Sequence, residues 1–168
     1  MRRITLLIGL ASALWCATSL YGQASIGVQG GWGDRFDWAV GGRFTYDLTP
    51  QLLPVAIIGS FDWYFPEALG PLDREYWEIN TNAIYLQAAG QTVGYFGVGL
   101  NVANFSAEGS AAVESESDSQ TEYGLNVLGG VRYKVGRVAP FFETRYTFES
   151  SKQLVIFVGL DLLLGSSW

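Results

Sequence analysis

The chain has 168 residues, of which 49% are hydrophobic and 15% charged, with a formal net charge of −6 and no histidine. That length suits one domain, the charge share falls below the ~25% of an ordinary soluble domain, and the acidic balance excludes nucleic acid, whose phosphates need a basic footprint. The missing imidazole weakens Ser/His, Asp/His and His-metal schemes together, because it removes the proton shuttle near neutral pH.

At the N-terminus, Arg2 and Arg3 precede an almost uninterrupted apolar run from Ile4 to Leu20, and Gly22-Gln23-Ala24 offers small residues to a signal peptidase. The pattern predicts a signal peptide over 1–24, cleaved after Ala24, and a mature domain over 25–168. An uncleaved spanning anchor would need a run of ~20 apolar residues. Lipid attachment at Cys16 is disfavoured by the bulk of Trp15 before it. Cleavage would lower the 10 basic residues to 8 against 16 acidic ones, and would remove the 1 cysteine. The mature chain would then have no disulfide and no thiolate chemistry.

Beyond residue 24 no segment is apolar for long enough to be a membrane helix. Alternation with period two recurs instead, broken by turn residues, as in an all-β chain. Eight segments emerge. The first sets Ile26, Val28, Gly30 and Trp32 against Ser25, Gly27, Gln29 and Gly31; the second sets Trp38, Val40, Gly42, Phe44 and Tyr46 against Ala39, Gly41, Arg43, Thr45 and Asp47. The third opposes Val55, Ile57, Gly59, Phe61 and Trp63 to Ala56, Ile58, Ser60 and Asp62, and the fourth opposes Trp77, Ile79, Thr81, Ala83 and Tyr85 to Glu78, Asn80, Asn82 and Ile84. In the fifth, ending near Phe105, Phe96, Val98, Leu100 and Val102 oppose Tyr95, Gly97, Gly99 and Asn101. The sixth places Tyr123, Leu125, Val127, Val131 and Tyr133 opposite Glu122, Gly124, Asn126, Arg132 and Lys134. The last two set Phe142, Thr144, Tyr146 and Phe148 against Glu143, Arg145 and Thr147, and Leu154, Ile156, Val158, Leu160 and Leu162 against Gln153, Gly159 and Asp161.

A small barrel's interior is too narrow for every bulky side chain on the apolar faces, whereas glycines, small polar residues and a few charges fill it. Turning the sheet inside out removes the mismatch: the bulky face meets lipid and the polar face becomes the core. The aromatics sort by depth in support. With antiparallel connections Trp32, Trp38, Trp63 and Trp77 fall at one end, joined by Tyr123 and Phe148, while Tyr46, Tyr85 and Tyr133 fall at the other. Two aromatic belts are what amphipathic rings prefer at two lipid–water interfaces. The connections agree, with long loops over 65–75 and 106–120 at the tryptophan end and compact turns over 87–91 and 135–138 at the other.

The phrases Tyr95-Phe-Gly-Val-Gly-Leu-Asn101, Thr121-Glu-Tyr-Gly-Leu-Asn126, Pro140-Phe-Phe-Glu-Thr-Arg-Tyr146 and Val158-Gly-Leu-Asp-Leu162 resemble strands of the small outer-membrane β-barrel proteins of the opacity and OmpX/OmpA-like type. The resemblance covers essentially the whole mature chain. It implies an eight-stranded antiparallel up-and-down transmembrane barrel in a bacterial outer membrane, loops outside the cell and termini in the periplasm. Assembly machinery and outer-membrane lipid would be its partners during and after biogenesis. Such proteins usually end on an outward-facing aromatic; here Gly165-Ser-Ser precedes Trp168, which keeps the parity of Leu160, Leu162 and Leu164.

On the inward face, Arg43, Arg132 and Arg145 share the lumen with Glu78, Glu143 and Asp161, and with Asp62, Glu122 and Lys134 nearer the strand ends. Buried charges must pair or carry a penalty of several kcal/mol each, so an interior salt-bridge network that plugs the barrel is expected. Neither the Gly30-Gly31-Trp32-Gly33 run nor Gly94–Gly99 fits a phosphate-binding loop, and no helix follows either. No catalytic, cofactor or metal residue is assigned. The carboxylates Glu78 and Glu143 read as neutralised charges, and the acidic stretch 107–120 reads as a solvated loop rather than a cation site. The function expected is structural or surface contact, such as adhesion, through the external loops. The alternatives are a narrow pore and, further off, a soluble lipocalin-like ligand-binding barrel.

Overall fold

The computed structural model describes residues 23–49, 53–66, 72–109, 118–148 and 152–164. Residues 1–22 of the expected signal peptide and the tail Gly165–Trp168 lie outside the described residues. Eight strands run in chain order: β1 (Gln23–Gly33), β2 (Asp37–Asp47), β3 (Val55–Phe65), β4 (Leu72–Ala89), β5 (Thr92–Gly109), β6 (Asp118–Tyr133), β7 (Val138–Phe148) and β8 (Gln153–Leu163). Each pairs antiparallel with the next, and β8 pairs with β1 to close a barrel. Ala24 lies inside β1, paired with Tyr46, and its carbonyl accepts a hydrogen bond from the Leu164 N–H at 2.8 Å. A chain beginning at Ser25 would still pair there with Thr45 and Leu163.

The sequence closes these hairpins locally. Between β4 and β5 only Gly90 and Gln91 intervene, and a two-residue hairpin loop needs left-handed backbone, which Gly90 supplies at φ 64°. Gly136 does the same at φ 62° before β7, where Val135 and Val138 bridge across the turn.

The register fixes the tilt of the strands. From Gln29, pairing leads through Gly41, Asp62 and Glu78 to Ala103 on β5; the other way round it leads through Gly159, Phe141 and Arg132 to Val93, also on β5. The two arrivals are ten residues apart, so the barrel closes with a shear of ten. That is a slip of ~33 Å around a circumference of ~38 Å, a strand tilt of about 40°. Residues far apart in sequence and strand order thereby come to one depth.

The sidedness is inverted relative to a soluble barrel. Val28 is 69% exposed, Leu100 63% and Val158 59%, while Asp62, Glu78, Glu143, Arg145 and Asp161 are all 0% exposed. The interior nevertheless takes more bulk than the sequence expectation of a polar lumen allowed. Phe36, Tyr64, Tyr76, Phe141 and Phe157 form an apolar cluster toward the tryptophan end. Ile58, Ile84, Leu86, Val93, Tyr95 and Leu128 form a second at the other end. The reason is cross-strand complementarity. Gly31 pairs directly with Phe157, Gly159 with Phe141, Gly130 with Tyr95 and Gly97 with Ile84, and each large side chain lies over the space a Cβ on its glycine partner would fill.

The long connections differ from expectation as well. β4 already starts at Leu72, β5 continues to Gly109 and β6 begins at Asp118, so much of the expected loops over 65–75 and 106–120 is strand. Polar residues there lack the apolar alternation that marks a half-buried strand, and pairing between neighbouring strands carries them on.

Candidate functional site

Between the two apolar clusters lies a polar layer whose ionic groups come from inward positions of five strands. Arg145 on β7 reaches across to Asp62 on β3 at 3.0 Å and along its own strand to Glu143 at 2.9 Å. Glu143 also holds Arg43 of β2 at 3.1 Å, and Arg43 lies 3.7 Å from Asp161 of β8. Asp161 lies 3.7 Å from Arg132 of β6. The six groups thus alternate in sign along one line: Asp62, Arg145, Glu143, Arg43, Asp161, Arg132. Guanidinium groups suit such a site because each presents several donors in a rigid planar fork. Their faces are used too, with Arg43 stacked 4.1 Å above the Phe141 ring centre and Arg145 4.8 Å above that of Phe157.

Of the six residues named from sequence for this network, the structure links Arg43, Arg132, Glu143, Arg145 and Asp161 and sets Glu78 apart. Glu78 accepts hydrogen bonds from the Tyr76 hydroxyl at 2.7 Å, the Tyr64 hydroxyl at 3.4 Å and the Asn80 amide at 3.4 Å. Glu78 and Glu143 therefore serve different partners. Asp62, placed near a strand end by the sequence reading, is the first link of the line, and Gln29, Ser60 and Asn80 also donate to it. The inward parity of Asp62 was the signal available for it.

Beside the ions runs an amide array. The Asn80 side-chain carbonyl accepts from Asn101 at 2.8 Å and from Asn126 at 2.7 Å, and Asn126 accepts from the Thr147 hydroxyl at 2.9 Å. These bonds join β4, β5, β6 and β7. Lys134, just past β6, sits half-buried; desolvation and the neighbouring Arg132 charge hold its ammonium pKa below the ordinary value, against the pull of Asp47.

At the tryptophan end the apolar cluster includes a residue the sequence reading passed over. Phe36, in the turn between β1 and β2, folds inward and stacks on Tyr76 with ring centres 3.8 Å apart and planes 16° apart. Asp34 anchors that turn to β8, donating from its N–H to the Leu154 carbonyl at 3.1 Å and accepting the Leu154 N–H at 3.0 Å.

Outside, Trp32 pairs with Trp38 and Trp63 with Trp77 at one end, while Tyr46, Tyr85 and Tyr133 stand outward at the other. Above the tryptophans, among the described residues, β4, β5 and β6 run further out than β3 and β7. The β3–β4 register stops at Tyr64 and Tyr76, shortly before Pro66, which has no N–H to offer a ladder. The β6–β7 register begins only at Leu125 and Phe148. What continues is a three-stranded projection of residues 72–75, 106–109 and 118–121.

No family model matches the chain, and no curated protein matches it. Solved structures do. The N-terminal β-barrel domain of Pseudomonas aeruginosa OprF aligns with a TM-score of 0.63 at 17% identity, over 85% of this chain and 99% of that one. Neisserial surface protein A aligns at 0.62 and 16% identity, over 84% and 96% respectively. Ail, the attachment invasion locus protein of Yersinia pestis, aligns at 0.59 and 14% identity, over 85% and 97%. In fold, the chain is a small eight-stranded β-barrel of the kind solved from bacterial outer membranes.

Proposed function

We propose that the chain is a non-enzymatic integral protein of a bacterial outer membrane, acting in envelope structure or surface contact. The observation that carries this reading is the filled interior: Arg145 ties Asp62 to Glu143 and Arg43 ties Glu143 to Asp161, all of them buried, while the outer face is apolar. A barrel whose centre is occupied by paired ions, with Phe36 stacked on Tyr76 toward its outer end, does its work at its rim. The projection of β4–β6 at the tryptophan end is then the part that meets a partner outside the cell, with the termini in the periplasm.

Among the structural neighbours is Ail, the attachment invasion locus protein, also solved in complex with the heparin analogue sucrose octasulfate. Attachment supports the surface-contact reading, but polysulfate is a poor match for this chain. Its projecting strands carry Asp73, Glu75, Glu108 and Asp118 against Arg74 alone. Like charges across an interface repel.

Two measurements on the purified chain and on cells test the reading. In planar bilayers the barrel is expected to leave the membrane at its background conductance. Cells displaying it are expected to gain adhesion to extracellular-matrix-coated surfaces, and to lose the gain when 72–75 with 106–121 are replaced by short turns. Stable ion-conducting steps, with adhesion untouched by the replacement, would favour a narrow pore instead.

A further inference from the structure

The apolar outer face is not evenly filled. Across β3–β6, toward the tyrosine end, it carries an open groove of about 330 Å³ lined by Val55, Ala83, Tyr85, Phe96, Val98 and Val127. The lining follows the register. Val55 pairs with Tyr85 and Tyr85 with Phe96; two positions nearer the tryptophan end, Ala83 pairs with Val98 and Val98 with Val127. The recess forms because Ala83 offers a single methyl group among larger outward neighbours. Tyr85 and Phe96 wall its tyrosine-end side, with ring centres 5.5 Å apart. Among the described residues no charged side chain lines the groove, so burying an ion or a polar headgroup in it would go uncompensated.

The course of the groove selects its occupant. With strands tilted by about 40°, the pairing direction climbs toward the tryptophan end from β3 to β6, and from Val55 to Val127 the lining rises about 14 Å along the barrel axis. Half of a ~30 Å hydrocarbon core, the depth of one leaflet, is ~15 Å. The groove therefore starts at the tyrosine belt and stops near the midplane, as a single lipid tail does. A second copy of this chain fits poorly, because two convex barrels meet along a line and the Tyr85 and Phe96 rings would hold that line off Ala83. We propose that the groove binds one acyl chain of a phospholipid in the leaflet at the tyrosine end. Dispersion contacts along its walls hold the chain, and the Tyr85 hydroxyl marks the level at which the headgroup begins. The proposal rests on the integral-membrane reading and goes beyond it, by singling out one site from the lipid that covers the rest of the barrel.

The test uses the full chain in nanodiscs of phosphatidylethanolamine mixed with lipid A, read by native mass spectrometry after transfer to detergent and by NMR in the nanodisc. The barrel is expected to retain one phosphatidylethanolamine. Lipid-chain methylenes should give stronger cross-relaxation to the methyl groups of Val98 and Val127 than to those of Val28 and Val158, which are exposed on the outer face away from the groove. Ala83→Phe and Val98→Trp each fill the recess and should lower the retained fraction about tenfold, while Val158→Phe should leave it unchanged. A heat-dependent gel shift checks that each variant is folded, and the NMR comparison needs no variant. Equal contacts around the barrel, or undiminished retention in the filled variants, would overturn the site. Retention of lipid A in place of phospholipid, or pairs of barrels in place of lipid, would overturn the occupant. A chain that never enters the nanodisc would overturn the integral-membrane reading as well.

Discussion

Arg145 shows how one side chain is fixed by the fold around it. It is wholly buried, holds Asp62 at 3.0 Å and Glu143 at 2.9 Å, and covers the face of Phe157. Removing it leaves two buried carboxylates with less counter-charge, which costs far more than the pair itself contributes. Arg145→Ala is therefore expected to destabilise the barrel by about 3–5 kcal/mol in urea unfolding from lipid bilayers. Arg145→Lys should recover part of that loss but not all, since an ammonium cannot span both carboxylates with the fork geometry of a guanidinium. An unfolding midpoint for Arg145→Ala equal to that of the parent would remove the network from the account of stability. Sequence parity was enough to turn Arg43, Arg132, Arg145, Glu143 and Asp161 inward, because the period of a strand is two. It did not say which charge meets which. Asp62 and Arg145 are 83 positions apart and on non-adjacent strands, and only the ten-residue shear brings them to one depth. For the same reason the sequence assigned Glu78 to the ion network, and the fold gave it the hydroxyls of Tyr64 and Tyr76.

For strands, the decisive contacts lie between direct partners. Each of Gly31, Gly97, Gly130 and Gly159 sits opposite a bulky inward side chain, so these glycines provide space rather than flexibility. Gly31→Leu is expected to destabilise the β1–β8 seam by about 1–3 kcal/mol through overpacking on Phe157. Adding Phe157→Ala should restore part of the loss, the remainder coming from the Ile156 carbonyl oxygen 2.8 Å from a Cβ at Gly31, and a double-mutant cycle measures the shared part directly. Additive effects in that cycle would mean that the two positions do not share the space. The strands themselves were legible because each alternates apolar and small or polar residues across the apolar band. Their outer ends were not. Past Tyr76 and Phe105 the alternation loses its hydrophobic half, and residues such as Ser106 and Asp118 read as loop although they pair. Phe36 was missed for a related reason. A turn residue carries no periodicity to say that it folds back into the mouth.

At the scale of the molecule, one property organises the rest: the barrel is apolar outside and ionic at its centre. Depth sorting of Trp32, Trp38, Trp63 and Trp77 against Tyr46, Tyr85 and Tyr133 makes that inversion legible in the sequence, since a soluble core has no reason to sort rings by end. The two apolar clusters inside were not legible, because a composition too bulky for a narrow lumen is accommodated only by the register of glycines against large side chains. The inversion itself has a direct physical consequence. A barrel whose outer face is solvated by lipid keeps its hydrogen-bonded sheet in detergent until heated, and so migrates differently on a denaturing gel before and after boiling. The measurement is fractionation of bacterial cells expressing the full chain, followed by that gel on each fraction. The account predicts the protein in the outer-membrane fraction, with a heat-dependent mobility shift. A soluble band that migrates identically with and without boiling would contradict it.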